Sequence, residues 1–295
     1  MNKKLKSNIF LFSAPMIWGG AFVAQCMVDV DALGTFAFNA VRFAIGAVFL
    51  IPIAILFEKE PHNRDKFKKT VICGAIAGSI VFIVSAFQMY GISINKNSGK
   101  SGFLTGLYMV IVPFLNFLFY KKKVSLKEWT AAIIATVGLF LVSVPSGFGS
   151  VNFGDVMVLC CAFFSAVHIL AIDKFLETVS PIKFSLIQFA ACSLLSGICA
   201  VFTEDFSVSG VYVNLLPILY TGILSTGVGY TFQVLGQKDA NPNFASIVLA
   251  SEGVYAALAG AVILGETMTL KGYMGCVLMF LGTILSQIEL KKSVC

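Results

Sequence analysis

Long apolar stretches alternate with short polar breaks along the whole of this 295-residue chain. A helix that crosses the hydrocarbon core of a bilayer needs about 20 mainly apolar residues. Ten stretches approach that length, at residues 8–28, 33–57, 70–94, 101–120, 127–145, 153–172, 181–202, 211–236, 242–264 and 270–288. The breaks between them are too short for a soluble domain. The pattern predicts an all-α integral membrane protein with ten transmembrane helices.

Composition supports this interpretation. Hydrophobic residues make up 58% of the chain and charged residues 12%, against about 45–50% and about 25% in soluble domains. Nine apolar stretches follow the first, so we interpret the first as a membrane span rather than a removed signal peptide. Seven of the eight cysteines lie in or beside apolar stretches without a CxxC spacing. We interpret them as small apolar side chains.

The basic residues predict the orientation of the chain. Seventeen of the 21 Lys and Arg residues fall on the side that holds the N-terminus, and only Lys96, Lys100 and Lys271 fall on the other. Because cytoplasmic loops are enriched in Lys and Arg, both termini are predicted to be cytoplasmic, in a multi-pass protein of the cell (plasma) membrane. The net charge of +6 then reflects topology and contact with anionic membrane lipid. We therefore expect no nucleic-acid partner.

The two halves of the chain resemble each other at an offset of about 145 residues. Matching pairs are Phe87-Gln88 with Phe232-Gln233, Leu126-Lys127 with Leu270-Lys271, and Phe43-Ala44 with Phe189-Ala190. The halves, 1–146 and 147–295, each hold five predicted helices. Because five is odd, the second half must enter the membrane inverted. Inverted repeats are typical of secondary transporters, whose substrate site lies between the repeats.

Four stretches carry a resemblance to a known family: "MIWGGAFV", "AVRFAIGAVFL", "SGKSGFLTGLYMVIVPFL" and "LASEGVYAALAGAVILGETMTLKGYMGCVLMFLGTIL". They are similar to the EamA-type transporters of the drug/metabolite transporter superfamily. The resemblance implies a metabolite exporter with two EamA-like repeats. Its central cavity is expected to be lined by helices one to four and six to nine, with helices five and ten at the periphery. Gly253 stands where the family usually has Pro.

Two ionisable residues lie deep within apolar stretches. A carboxylate at mid-bilayer, such as Glu252, costs about 2.5–3.5 kcal/mol on insertion scales unless it is paired, protonated or hydrated. Glu252 is a candidate to bind substrate or protons, or else a structural hydrogen-bonding group. Arg42 cannot be neutralised. It is a candidate to pair with Glu252 or to bind a substrate carboxylate, and its repeat equivalent is the uncharged Gln188.

Further candidates are polar or aromatic. Gln88 and Gln233 occupy equivalent positions in the two halves, where they either line the pathway or join helices by hydrogen bonds. Trp18, Tyr230 and Tyr255 are candidate cavity-lining aromatics, with packing as the alternative. We interpret His168, near the end of its span, as solvated at a helix end, with a proton relay as the alternative.

These features favour a secondary transporter of a small-molecule solute. One acid, one base, amides and aromatics suit a zwitterion such as an amino acid, and protons are a second candidate partner. No nucleotide-binding domain is visible, so no ATPase subunit is expected, nor any cofactor. An intramembrane enzyme is the main alternative, but HExxH and GxSxG are absent from the sequence. A channel and a non-transporting membrane scaffold with a transporter fold are the others.

Overall fold

The computed structural model describes residues 3–58, 64–143, 151–263, 265 and 269–287, and these residues form helices and connecting loops without a strand. Ten long helical segments follow one another in the described residues: α1 (Lys3–Cys26), α2 (Thr35–Phe57), α3 (Arg64–Asn95), α4 (Ser98–Tyr120), α5 (Leu126–Ser143), α6 (Phe153–Phe175), α7 (Pro181–Thr203), α8 (Leu215–Gln237), α9 (Pro242–Ile263) and α10 (Leu270–Gln287). A short helix, Val208–Val213, precedes α8. All but α5 and α10 are long and apolar enough to cross a membrane. The predicted all-α membrane architecture is confirmed. The predicted boundary between residues 146 and 147 lies outside the described residues and stays a prediction.

The helix packing repeats when the halves are exchanged. α2 packs along α7 and α5 along α10, so each of these pairs joins a helix to its own repeat equivalent. α3 packs on α6 and α7, just as α8 packs on α1 and α2. α4 packs on α6, just as α9 packs on α1. The two halves are therefore inverted repeats that interlock through all of their helices.

Two glutamates cap α2 and α7 reciprocally. The first N–H groups of a helix have no partner within it, and the helix dipole makes that end positive. Glu58, after the end of α2, accepts two hydrogen bonds of 2.8 and 3.0 Å from the first N–H groups of α7. Glu204, after the end of α7, does the same for α2 at 2.9 and 2.8 Å. The residues are equivalent at an offset of 146, and each half supplies the cap of the other.

Glycines bring two pairs of helices into backbone contact. A Cβ atom on Gly78 of α3 would lie 2.5 Å from the backbone oxygen of Gln188 in α7. A Cβ atom on Gly102 of α4 would lie 3.1 Å from the Cα atom of Gly253 in α9. Small residues permit such close approach between helices in membranes. A Cβ atom at position 253 would lie 2.5 Å from Leu139 Cδ1 of α5 and 3.2 Å from the backbone of Gly102 in α4.

Three helices depart from regular winding near the middle of the bundle. α4 is interrupted at Leu107, between Ser98–Gly106 and Tyr108–Tyr120, and α9 is interrupted between Pro242–Leu249 and Glu252–Ile263. These interruptions are equivalent in the two halves. In α8, Tyr220–Tyr230 is wound as a π-helix, a form that is often found at functional sites. Discontinuous helices at equivalent positions indicate the substrate site of a transporter.

Candidate functional site

A cavity lies between the halves, next to the two interruptions. The volume of the cavity is about 50 Å³. This is room for a few water molecules, since one water needs roughly 10–15 Å³. Its walls are formed by Trp18, Ala21, Phe22, Gln25, Arg42, Val84, Gln88, Thr105, Tyr108, Ser165, His168, Ile169, Ser225, Tyr230, Gln233, Leu249 and Glu252. These residues belong to α1–α4, α6, α8 and α9. The expected contribution of α7 is wrong for this cavity among the described residues, because α7 packs on α2, α3 and α8 and supplies no lining residue. Its side chains only contact lining residues from behind, Gln188 at His168 and Phe189 at Tyr230.

Glu252 is bonded to a residue that the sequence prediction missed. The Tyr108 hydroxyl donates a hydrogen bond of 3.1 Å to Glu252 Oε1, and both side chains are buried. Each residue is the first of the second half of its interrupted helix. They are also equivalent at an offset of 144, the offset that relates Leu126-Lys127 to Leu270-Lys271. That offset, applied to Glu252, was the available signal for Tyr108.

Arg42 is 2% exposed and is fixed in place on the cavity wall. Its Nε atom donates to Asn39 Oδ1 at 2.9 Å, and its Nη1 atom is 3.5 Å from Gln25 Oε1. The guanidinium carbon lies 4.8 Å from the ring centre of Phe43 and 5.4 Å from that of Phe38. The Nη2 atom has no hydrogen-bond partner.

Arg42 and Glu252 line one cavity but form no ion pair, so the structure does not show the pairing that was one alternative for Arg42. Ion pairs among the described residues join lysines near the helix ends to Asp155, Asp173 and Glu177. The physical reason is that Arg42 is held by amides and aromatic rings from its own side of the cavity, while Glu252 is held by Tyr108. A fixed positive charge and a neutralisable carboxyl group thus stand apart in the same space.

His168 corrects the prediction that it is solvated at a helix end. It is 4% exposed and lines the cavity, with its Nε2 atom 3.2 Å from Gln188 Oε1. α6 continues to Phe175, so His168 lies about two turns inside the helix, on the face that it shares with Ser165 and Ile169. Gln188 belongs to α7, and its Nε2 atom has no hydrogen-bond partner.

The structure brings most of the other predicted residues together. Trp18 donates a hydrogen bond of 3.2 Å to the backbone oxygen of Ser225, within the π-helix, and its ring centre is 4.9 Å from that of Tyr230. Gln88 and Gln233 both line the cavity, and Gln233 Oε1 has no hydrogen-bond partner. The predicted role of Tyr255 is wrong, because it does not line the cavity. Its Cβ atom is instead packed over Gly19 of α1.

Several polar wall residues were missed besides Tyr108. Gln25, Thr105, Ser165 and Ser225 carry no charge, and in a long apolar helix such residues do not stand out. Gln25 had a detectable signal, since it lies two turns beyond Trp18 on the same helical face. No group of three or more His, Cys, Asp or Glu residues that could hold a metal ion occurs in the described ranges. The chemistry of the cavity is hydrogen bonding around one fixed and one titratable charge.

Inverted repeats that pack against each other around a central cavity with polar wall residues are typical of membrane transporters with internal repeats. The chain belongs to the EamA-like transporter family, whose model matches residues 5–144 and again residues 152–287.

Relatives from other organisms agree with this assignment. An "uncharacterized transporter" of Archaeoglobus fulgidus is 30% identical over 96% of this chain and 86% of its own length. One of Clostridium kluyveri is 25% identical over 98% of this chain and 95% of its own length. A crystal structure with a TM-score of 0.76 covers 95% of this chain, and 96% of its own, at 16% identity. At that identity the likeness shows the fold alone.

Proposed function

We propose that this transporter is a proton-coupled secondary carrier that exports a small metabolite, an amino acid or a related solute, across the cell membrane. The observation that carries the proposal is the cavity itself, which lies between the inverted repeats and is polar at the two helix interruptions. Its volume of about 50 Å³ is too small for a metabolite. The halves must rearrange to admit a solute, which is the behaviour of an alternating-access carrier.

The carboxyl group of Glu252 supports proton coupling. It lies at the start of a half-helix, where the helix dipole favours negative charge. Its side-chain partner is the neutral hydroxyl of Tyr108, and among the described residues it forms no ion pair. A carboxyl group without a fixed counter-charge can take up a proton on one side of the membrane and release it on the other, as intramembrane acids do in pumps and transporters.

The character of the wall supports a small zwitterionic solute. Arg42 offers a positive group to a carboxylate, and Glu252 offers a negative group to an amine. Three further wall residues, Gln25, Gln88 and Gln233, carry amides that can hydrogen-bond the solute. This arrangement fits binding and release of an unchanged solute, and no nucleophile with its base is assembled at the site that would favour an enzyme.

Reconstituted vesicles test the class of function. Vesicles that contain the purified protein are loaded with an unlabelled amino acid or related metabolite from a panel. Entry of the same compound in labelled form is then followed with and without a pH gradient. A carrier shows saturable counterflow, and proton coupling adds accumulation against the gradient of the solute. Flux that rises linearly with concentration would indicate a channel, and a chemically altered compound would indicate an enzyme. No flux for any compound would favour a scaffold.

The proposed orientation places both termini in the cytoplasm. In a variant without native cysteines, Asp31→Cys lies in the exposed connection between α1 and α2 and Lys122→Cys in the exposed connection between α4 and α5. We expect an impermeant thiol reagent to label position 31 in intact cells, and position 122 only after permeabilisation. The reverse pattern would contradict the orientation.

A further inference from the structure

The feature that the proposed function leaves open is why Arg42 keeps a buried charge without a counter-ion. Guanidinium remains protonated in proteins, and a buried charge is normally paired because its desolvation is costly. Arg42 is 2% exposed, and its side-chain partners are the neutral amides of Asn39 and Gln25. Glu252 lines the same cavity but forms no ion pair with it, so no counter-ion contacts the guanidinium among the described residues.

The guanidinium is hydrogen-bonded on one edge, and on another its buried Nη2 atom has no partner. Asn39 is itself fixed, since its Nδ2 atom donates to the backbone oxygen of Ser85 at 3.2 Å. Gln25 is fixed by donation from its Nε2 atom to the backbone oxygen of Ala21 at 3.1 Å. The Nη2 atom has no partner, and Nη1 has only the long 3.5 Å contact. The edge formed by these two nitrogens is the edge that binds a carboxylate through two parallel hydrogen bonds.

We propose that Arg42 is the binding subsite for a carboxylate group of the transported solute, so that the carrier requires an anionic group and rejects amines that lack one. This inference rests on the proposed transport function and names the substrate class of the same cavity. The rings of Phe38 and Phe43 hold the guanidinium plane, so the two nitrogens meet the carboxylate in a fixed orientation. The bound carboxylate supplies the missing counter-charge.

The other half of the molecule supports this assignment. The residue equivalent to Arg42 is Gln188, which is fully buried and bonded to His168. The repeated fold therefore accepts an uncharged amide at this position, and the charge is an addition of the first half. For the same reason Arg42→Gln is a replacement that the scaffold is expected to tolerate.

Binding to the purified protein tests the proposal separately from transport. The probes are alanine, leucine and phenylalanine, each with its decarboxylated amine and its deaminated acid, and sodium chloride as an inorganic anion. Binding is measured by thermal stabilisation over a concentration series. We expect at least one amino acid or acid to stabilise the wild-type protein, and its matched amine to do so about tenfold more weakly or not at all, since charge-assisted bidentate pairs are among the strong hydrogen bonds.

Two variants make the test specific to Arg42. Arg42→Gln is expected to unfold near the wild-type temperature without a probe and to bind the carboxylate probe at least about tenfold more weakly. Arg42→Lys keeps a point charge but loses the planar fork, and an intermediate affinity is expected. Lys122→Gln serves as the matched control, because it removes a positive charge from a side chain that is 61% exposed and lies outside the cavity.

Three results would overturn the subsite. The first is equal binding of amines and acids, or the absence of binding by any acid at millimolar concentration. The second is unchanged carboxylate binding by Arg42→Gln. The third is stabilisation by chloride that depends on Arg42 while the acids do not compete, which would assign the site to an inorganic anion. Carboxylate binding that depends on Arg42, together with absent flux in vesicles, would support the subsite and refute the transport proposal.

Discussion

The two halves of this transporter share a backbone plan but differ in charge where they meet. Gln88 and Gln233 are the same residue at equivalent positions of the cavity wall. At the helix interruptions the first half has Tyr108 and the second has Glu252, while Arg42 of the first half corresponds to Gln188 of the second. The fold thus requires a hydrogen-bonding side chain at each place but does not require a charge. We therefore propose that the two charges serve what the cavity binds. The first half contributes the positive group, Arg42, and the second half the carboxyl group, Glu252.

The largest effect is expected at the interruptions. Glu252→Gln keeps the hydrogen-bonding shape but cannot release a proton, so we expect accumulation driven by a pH gradient to disappear while counterflow continues. Tyr108→Phe removes only the donated hydrogen bond, typically worth about 0.5–1.5 kcal/mol, and should lower both modes by up to about tenfold. Both rates are measured in vesicles, with Glu177→Gln, an exposed carboxylate that is 60% accessible, as the matched control.

Each alternative outcome for Glu252 has a distinct meaning. Parallel loss of accumulation and counterflow in Glu252→Gln would mean that the carboxylate binds the solute rather than the coupling proton. Nearly normal transport in both modes would mean that its role is architectural. In that case the difference between Tyr108 and Glu252 would carry no function, while the family assignment would stand.

The next largest effect is expected on stability, at two glycines where α7 contacts α3 and α2. Gly78→Ala puts a methyl group 2.5 Å from the backbone oxygen of Gln188, and overpacking of this kind costs about 1–3 kcal/mol. Gly197→Ala on α7 itself would place its methyl group 3.9 Å from Ala40, an ordinary contact, and should change stability by less than about 0.5 kcal/mol. Unfolding in mixed micelles measures both. Equal stability of the two variants would contradict the close approach of α3 and α7.

The smallest effect should also be the most symmetric. Glu58→Gln and Glu204→Gln each retain one of the two acceptor oxygens, replace the other with an NH2 group that cannot accept, and lose the negative charge that favours the helix N-terminus. Such interactions are worth about 0.3–1 kcal/mol at exposed helix ends and up to about 2 kcal/mol when partly buried. We expect the two losses to agree within about 0.5 kcal/mol and to add in the double variant, because the residues lie at opposite ends of the helix pair. Clearly unequal losses would show that the halves differ in scaffold as well as in charge.

The fold was accessible from the sequence because lipid constrains it strongly. In the bilayer every backbone group must be bonded within its own segment, so runs of apolar residues translate directly into helices. The offset between Gln88 and Gln233 then predicted the inverted halves. The bounds of the helices were less accessible, since the polar surroundings of Lys3 and Gln237 do not mark the point at which winding starts or ends.

The site was only partly accessible. Buried charges stand out in an apolar helix, so Glu252 and Arg42 were found. Tyr108 was missed because an aromatic residue in a membrane helix is usually interpreted as packing. Tyr255 was selected as a cavity-lining aromatic, whereas the structure shows the packing that was its alternative. Which face an aromatic presents depends on how neighbouring helices cross. That crossing is set by contacts such as Gly102 on Gly253, which lie 151 positions apart along the chain.

The reciprocal caps have a consequence for biogenesis. When the ribosome has released only α1 to α5, the positive end of α2 faces the membrane boundary without its carboxylate, and Glu58 has no helix to cap. Both contacts form only after α7 has been inserted. The first half is thus an unfinished folding intermediate, dependent on the insertion machinery until its partner arrives. Two separately expressed halves would be expected to accumulate only when they are made in the same cell.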